Sequence, residues 1–277
     1  MSLRAGFLFV TLLVGSYAFP AQEQDVSIFF DQTDPTTRIL GGSVAGRVPY
    51  IVALSSGLPV RNFVCGASLV TNRHLLTAAH CIHAVFFDGN LLGSLRATVG
   101  TNRWNRGGTH YRIASNITHP DYEHSLTKND IGILITVENV VMSTRVQPVV
   151  LSYDFVGAGV ATTVTGWGRT STNGSTPLNL MQLSASVIDG NRCVNEVANR
   201  ASQLNIKVSV VQPHIEICTY LANGRGTCNG DSGSPLMRSD RKQQIGVTSW
   251  GLPCARGAPD IFVRISAYRS WIQQNTR

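Results

Sequence analysis

Short apolar runs separated by turn-forming residues place the strongest constraint on the fold of this 277-residue chain. Each run has the length of a β-strand and is flanked by glycine, asparagine, proline or serine. The clearest examples are Tyr50–Leu54, His74–Ala78, Ile131–Val137, Val160–Thr165 and Gln244–Ser249. With 26 glycines, 11 prolines and few long helical patterns, the sequence predicts an all-β protein built as barrels or sandwiches.

The end of the chain follows a different period. Tyr268, Trp271 and Ile272 stand at helical spacing, and Ser266 is a possible N-cap. We therefore expect a C-terminal helix over about residues 266–276, packed on the surface of the protein.

The first 18 residues are typical of a secretory signal peptide. A basic start, Met1–Arg4, precedes the apolar run Phe7–Val14, which is too short to span a bilayer. Ser16 and Ala18 supply the small residues expected before a cut after Ala18. The alternative is a buried N-terminal strand. Because no other apolar run is long enough to span a membrane, we expect a secreted protein without a membrane anchor.

Six cysteines in a secreted chain indicate disulfide bonds. An even number in an oxidising compartment favours three bridges, but six cysteines allow 15 pairings and the spacing does not choose among them. No CxxC pair is present, which counts against structural zinc. The cysteines are Cys65, Cys81, Cys193, Cys218, Cys228 and Cys254.

The basic residues are almost all arginine. The formal net charge is +7, yet among 23 basic residues only Lys128, Lys207 and Lys242 are lysines. The arginines are scattered, without basic runs or aromatic platforms, so no nucleic-acid partner is expected. One interpretation is a solvated basic surface; another is a working pH high enough to neutralise lysine but not arginine.

Residues 19–38 form a polar, acidic segment without cysteine. The segment ends at Arg38, directly before the sequence Ile39-Leu40-Gly41-Gly42. A basic residue followed by an apolar, glycine-rich start is typical of a proteolytic processing site, and 19–38 is therefore a candidate propeptide.

Three further segments contain the residue types that acyl transfer needs. His80 lies in TAAHC (77–81), Asp130 begins the apolar run of NDIGILI (129–135), and Ser232 lies in GDSGSPL (230–236). A serine hydroxyl needs a base to take its proton, and histidine is suited to that role. A buried carboxylate needs a partner and can hold the imidazole in one tautomer.

These segments, taken in order with ILGG (39–42), GWG (166–168), SWG (249–251) and WIQQN (271–275), resemble the chymotrypsin-like, trypsin-fold serine endopeptidases. The resemblance covers essentially all of 39–277. It implies two six-stranded antiparallel Greek-key barrels, at about 39–151 and 152–265, with the active site between them.

The resemblance also implies the roles of the site residues. His80 would be the general base, Asp130 its orienting acid and Ser232 the nucleophile. The backbone N–H groups of Gly230 and Ser232 would form the oxyanion hole. No cofactor is implied.

Two further features follow from the same resemblance. The segment Ser249-Trp250-Gly251 would pair with the substrate backbone as an added strand. The disulfides would be Cys65–Cys81, Cys193–Cys218 and Cys228–Cys254, the first holding the histidine loop and the last framing the substrate pocket.

The family's activation logic gives Arg38 a role. A trypsin-like protease would cut after Arg38, and the new ammonium group of Ile39 would pair with Asp231, ordering the substrate pocket and the N–H of Gly230. The chain would thus be made as an inactive zymogen.

Three positions would shape the pocket for the P1 side chain, the residue before the cleaved bond. Gly226 takes the floor position, where trypsin-type enzymes have an aspartate, and Gly251 leaves the entrance open. Asp260 stands lower in the wall, where glycine is common, and Gly226 is expected to leave room for water beside it. The pocket would accept large apolar residues, with Asp260 allowing some arginine or lysine, or even a trypsin-like preference. This arrangement resembles the collagenolytic branch from arthropods.

The predicted partners are protein and peptide substrates, an activating protease and protein protease inhibitors. We expect a monomer secreted to the extracellular space, in a gut lumen. Residues 89–120, where some relatives bind calcium, contain no Asp or Glu, so no metal is expected. Asn116 and Asn173 begin glycosylation acceptor triplets whose use the sequence leaves open. The competing hypothesis is a catalytically inactive homologue that acts by binding or regulates a cascade. A third hypothesis is a protease dedicated to one cascade target.

Overall fold

The computed structural model describes residues 42–169, 174–252 and 254–277. Within them, two closed six-stranded antiparallel β-barrels and a C-terminal helix confirm the predicted all-β architecture. The signal peptide, the candidate propeptide with Arg38, the new terminus at Ile39 and the triplet at Asn173 lie outside the described residues.

The first barrel follows a short strand, β1 (Ser43–Val44). Its strands are β2 (Ile51–Ser56), β3 (Asn62–Leu69), β4 (His74–Thr77), β7 (Arg96–Val99), β8 (Thr109–Thr118) and β9 (Gly132–Thr136). The barrel closes in the order β2-β3-β4-β9-β8-β7. The strands alternate or run apolar because one face of each is turned to a shared core, as the sequence pattern predicts.

The second barrel is built from the later strands of the chain. They are β10 (Ala161–Gly166), β11 (Met181–Val187), β12 (Glu216–Tyr220), β13 (Pro235–Arg238), β14 (Gln243–Gly251) and β15 (Asp260–Arg264). Their order is β11-β10-β13-β14-β15-β12, and a pairing between β11 and β12 closes the barrel. Strand β1 extends this sheet by pairing with β11.

Three α-helices and a small hairpin complete the described fold. Helix α1 (Ala79–His83) follows β4, and the hairpin pairs β5 (Phe86–Phe87) with β6 (Asn90–Leu91). Helix α2 (Gly190–Gln203) was not predicted, although its signals are present in the sequence. Asp189 caps its N-terminus, accepting a hydrogen bond from the N–H of Arg192, and its buried residues recur every four positions.

The C-terminal helix begins later than the sequence pattern predicts. A 3-10 turn at Ile265–Tyr268 precedes helix α3 (Arg269–Asn275), so Ser266 lies inside the turn and the expectation that it caps the helix is wrong. Ile272 and Tyr268 are buried in the core cluster of the first barrel. Helix α3 therefore packs the end of the chain against the first barrel. In the three described ranges, no helix has both the length and the apolar character to cross a membrane.

Candidate active site

His80 and Asp130 are brought together by a strand pairing. Strands β4 and β9 are antiparallel neighbours, with Thr77 opposite Gly132. The chain leaves β4 into helix α1, which begins one residue before His80, and Asp130 lies two residues before β9. Both side chains are therefore at the same end of one strand pair.

The carboxylate of Asp130 is buried and accepts three hydrogen bonds. Its Oδ1 accepts the backbone N–H of His80 at 2.8 Å, and its Oδ2 lies 2.8 Å from Nδ1 of the same imidazole. The hydroxyl of Ser249 donates to Oδ2 at 2.6 Å. The sequence predicts Ser249 only as part of a substrate-binding strand and does not predict its hydrogen bond to Asp130.

The electrostatics of the pair suit a base. Burial opposes protonation of His80, but the charge and hydrogen bond of Asp130 outweigh it and raise the pKa of the imidazole. Burial raises the pKa of Asp130 as well, yet His80 and the Ser249 hydroxyl outweigh it and hold the pKa below its usual range. Asp130 thus remains a carboxylate that stabilises a charged imidazole.

Ser232 belongs to the second barrel, in the turn before β13. Its carbonyl accepts the N–H of Gly66 from the first barrel at 2.9 Å. Gly233 has φ +77°, and a Cβ there would clash with the Gly66 oxygen, so the turn needs glycine at this position. Between these described residues no hydrogen bond joins the Ser232 hydroxyl to His80, but both line the same cavity.

The backbone N–H groups of Gly230 and Ser232 are available to a ligand. Gly230 has φ +99°, a left-handed conformation that favours glycine. Within the described part of the chain, neither of the two N–H groups has a backbone acceptor. Both residues line the cavity, as an oxyanion site requires.

Two histidines lie unexpectedly close to the site. His83 and His124 match no sequence pattern that predicts a site role. Their rings stack with centroids 4.1 Å apart, and both line the cavity beside His80. Their positions in the sequence, 41 residues apart, contain no signal of this contact.

Asp260 lines the cavity, whereas Gly226, the predicted floor residue, lies against the Asp260 carboxylate and is not itself among the described lining residues. The Asp260 carboxylate accepts the Thr227 N–H at 3.0 Å and the Thr227 hydroxyl at 2.8 Å. A Cβ on Gly226 would lie 2.9 Å from the nearer Asp260 oxygen. The expectation that Gly226 leaves room for water is therefore wrong, because the Asp260 carboxylate itself fills that space. Burial raises the pKa of Asp260 to about 7, against its hydrogen bonds from Thr227.

The entrance and wall of the cavity are formed by the end of β14. Among the described residues, a Cβ on Gly251 would meet only the Pro259 oxygen, at 3.9 Å, so these residues leave the entrance open. Strand β14 pairs with β13 as far as Val247 and with β15 as far as Gly251. Residues 249–251 therefore extend past the end of β13 with one edge that these two ladders leave unpaired.

Three disulfides are present, and they are the pairs that the resemblance implies: Cys65–Cys81, Cys193–Cys218 and Cys228–Cys254. The first lies beside His80, so the Cys65, His80 and Cys81 donors form a cluster within metal-binding distance. The two sulfurs of that cluster are bonded to each other and are not free thiolates, which removes the donors that zinc prefers.

Asp231, which precedes Ser232 in the chain, is buried. Its carboxylate accepts the N–H of Gly168 at 2.8 Å and the N–H of Cys228 at 3.0 Å. Burial raises the pKa of this carboxyl to about 6, although the two hydrogen bonds lower it. A positive group placed here would therefore be strongly favoured.

Ser234, which follows the GDSG segment, packs against Gly66 of the first barrel. Its hydroxyl is buried and has no hydrogen-bond partner among the residues that the structure describes, and a Cβ on Gly66 would clash with it. We expect Gly66→Ala to lower the free energy of unfolding by about 1–3 kcal/mol through overpacking. The cost should shrink clearly in the Ser234→Gly background, because the clashing hydroxyl is gone.

Urea unfolding of the four proteins of this double-mutant cycle measures the coupling. All four should carry Ser232→Ala, so that the unfolded chain is not digested. An equal cost of Gly66→Ala in both backgrounds would contradict the proposed contact.

Comparison with known proteins agrees with this fold and site. Residues 41–272 match the family described as Trypsin. Chymotrypsin-2 of Vespa crabro is 33% identical over 240 residues, covering 86% of this chain and 99% of that protein. Trypsin alpha-4 of Lucilia cuprina is 31% identical over 239 residues, covering 85% and 86% of the two chains. Chymotrypsin of Phaedon cochleariae is 30% identical over 259 residues, covering 88% and 84%.

Two closed barrels with a Ser, a His and a buried Asp at their junction form an arrangement that is typical of serine proteases. The chain belongs to the trypsin family of serine endopeptidases.

Proposed function

We propose that this protein is a secreted endopeptidase, made as a zymogen, that hydrolyses peptide bonds through an acyl-enzyme on Ser232. The observation that carries the proposal is the buried Asp130 carboxylate, which holds His80 through two hydrogen bonds at the edge of the cavity that Ser232 lines. This arrangement supplies a nucleophile, a base and an orienting acid.

In the proposed reaction, the Ser232 oxygen attacks the carbonyl carbon of the cleaved bond and His80 Nε2 takes the hydroxyl proton. The N–H groups of Gly230 and Ser232 donate to the oxyanion that forms. The protonated imidazole, stabilised by Asp130, then gives its proton to the leaving amine. Water then attacks the acyl-enzyme, with His80 again as the base, and the serine is released.

Diisopropyl fluorophosphate tests this assignment, because it labels only a serine activated as a nucleophile. We expect labelling of Ser232 after activation and none in the His80→Ala variant. Absence of labelling in the activated wild-type protein would favour the alternative, an inactive homologue that works by binding. A protease dedicated to one cascade target would also be labelled by the reagent, but it would cleave only that one protein.

Secretion and activation are supported by the signal-like residues 1–18 and by the Arg38–Ile39 junction. Asp231 supports the same scheme, since it is a buried carboxylate that forms no ion pair with another described residue. The Ile39 ammonium would supply the missing charge. Three disulfides suit an extracellular protein.

A digestive role in a gut lumen is supported by insect relatives named chymotrypsin and trypsin. The scarcity of lysine favours an alkaline working pH. An activity optimum near neutrality, with collapse by about pH 9, would contradict the alkaline setting. Digestion of collagen is the finer expectation, and comparing native triple-helical collagen with gelatin as substrates tests it.

For the P1 side chain we propose a preference for large apolar residues, with some tolerance of arginine and lysine. Gly251 leaves space for a large side chain, and Asp260 offers a carboxylate at the base of the cavity. The runner-up is a trypsin-like specificity through Asp260 alone.

Peptide anilides that differ only in Phe or Arg at P1 test this specificity. Because the pKa of Asp260 is raised to about 7, its carboxylate is charged above that pH and neutral below it. The ratio of kcat/KM for Arg over Phe should therefore rise as pH increases through about 7. Asp260→Gly should lose both the Arg activity and this rise, with the Phe activity kept. Selectivity for Arg alone would contradict the apolar preference.

A further inference from the structure

A buried ion pair joins the two barrels close to the wall of the cavity. Lys128 lies in the first-barrel loop before β9, and Glu216 is the first residue of β12 in the second barrel. The Nζ atom of Lys128 lies 2.7 and 2.9 Å from the two carboxylate oxygens of Glu216. The side chains are each about 5% exposed.

The Glu216 carboxylate also holds the indole of Trp250. Trp250 Nε1 donates to Oε1 at 2.7 Å, and the N–H of Gln212 donates to Oε2 at 2.6 Å. The ammonium of Lys128 lies 4.7 Å from the centre of the Trp250 ring, within the range of a cation–π contact. The indole is thus held at its nitrogen and on its face by two charged groups.

Stability alone gives little reason for such a pair. Removing two charges from water costs free energy that their attraction often only offsets, and apolar residues of similar size are frequently as stable. The pair does, however, lie close to the candidate active site in both barrels. Trp250 lines the cavity, and Lys128 is two residues from Asp130.

The residue between Lys128 and Asp130 is anchored as well. Asn129 accepts a hydrogen bond from the Tyr268 hydroxyl at 2.9 Å, in the turn before helix α3. Three consecutive residues, Lys128, Asn129 and Asp130, therefore each bind a different segment of the second half of the chain. The Lys128 contact is the one that reaches Trp250.

We propose that Glu216 and Lys128 are positioning residues that fix the Trp250 indole as a wall for the substrate residues preceding P1. This inference rests on the proposed peptidase function. It predicts that long peptide substrates depend on the pair, whereas esters that fill only the P1 site do not, because they do not extend beyond P1 to the Trp250 indole.

Two double variants separate positioning from stability. Lys128→Met with Glu216→Leu replaces the pair by apolar groups and removes the acceptor for the indole N–H. Lys128→Met with Glu216→Gln also removes both charges, but the new amide keeps a side-chain oxygen that can accept from Trp250. Urea unfolding should show that both double variants stay folded, since no unpaired buried charge remains. The Leu double variant should be the less stable of the two, because the N–H groups of Trp250 and Gln212 both lose their acceptor.

We expect the Leu double variant to lose about tenfold in kcat/KM on a tetrapeptide anilide, the scale of one lost hydrogen bond, with less than about twofold change on a P1-only ester. The Gln double variant should keep both activities. Equal tetrapeptide-to-ester ratios in the two variants, or a parallel loss on both substrates in the Leu variant, would overturn the proposal.

A second measurement does not depend on activity. Acrylamide quenching of Trp250 fluorescence, obtained by difference from matched Trp250→Phe proteins, reports how firmly the indole is held. Quenching should increase in the Leu double variant and stay at the wild-type level in the Gln double variant. Unchanged quenching in the Leu variant would overturn the positioning role, while a wild-type protein that hydrolyses neither substrate would instead refute the proposed function.

Discussion

Replacing Asp130 with asparagine is expected to lower kcat by about 10⁴-fold near neutral pH without unfolding the protein, as in other Ser-His-Asp proteases. The asparagine amide can still accept the N–H of His80 through its oxygen. Its NH₂ group then faces Nδ1 of the imidazole, which must become an acceptor and place the proton on Nε2. An imidazole in that tautomer cannot take the proton of Ser232.

The pH profile gives a second, independent readout of Asp130→Asn. The carboxylate raises the pKa of His80 against the effect of burial, so its removal should lower that pKa. Because the base must be neutral, the acid limb of kcat/KM should move to lower pH in the variant. Ser249→Ala is the matched control: it removes one hydrogen bond to Asp130 but leaves the tautomer intact, and should cost about tenfold. Near-wild-type activity in Asp130→Asn would contradict the assigned role.

Replacing Arg38 with glutamine is expected to leave the protein as an inactive precursor after treatment with trypsin. The wild-type precursor should gain activity as a new terminus, Ile39-Leu40-Gly41-Gly42, appears by N-terminal sequencing. The physical reason lies in Asp231, a buried carboxylate that two backbone N–H groups only partly compensate. The new ammonium would complete its charge balance and order the loop that contains Gly230.

Asp231→Asn separates cleavage from its consequence. This variant should be cut after Arg38 at the normal rate, yet remain about 10²- to 10³-fold less active, the scale of breaking a buried ion pair. Trypsin-treated Arg38→Gln protein with full activity would contradict the activation scheme. So would a cleaved Asp231→Asn protein as active as the wild type.

Strand-length apolar runs and turn residues are local signals, and they predict an all-β protein of barrels or sandwiches. The arrangement as two six-stranded barrels was implied only by the family resemblance. Helix α2 has equally local signals, the Asp189 cap and a four-residue spacing of buried residues. Ser266 resembles a helix cap, but burial of Tyr268 and Ile272 against the first barrel sets where helix α3 begins.

The site was predictable only in part. His80, Asp130 and Ser232 each stand in a short segment whose residue types indicate chemistry, so their identification needs no contact information. The Ser249 bond to Asp130 joins residues 119 positions apart, and the stacked His83 and His124 are separated by a hairpin and two barrel strands. No short-range pattern contains such contacts.

Local strand and turn signals predict an all-β protein, and the family resemblance of seven short segments implies its class and the roles of His80, Asp130 and Ser232. That Asp260 fills the space beside Gly226, and that Lys128 reaches Glu216 beside Trp250, is visible only in the folded structure. In both cases, strand pairing and barrel packing bring distant segments of the chain into contact. Which side chains share a buried space follows from that packing, and the charge and hydrogen bonding of the cleft follow from it in turn.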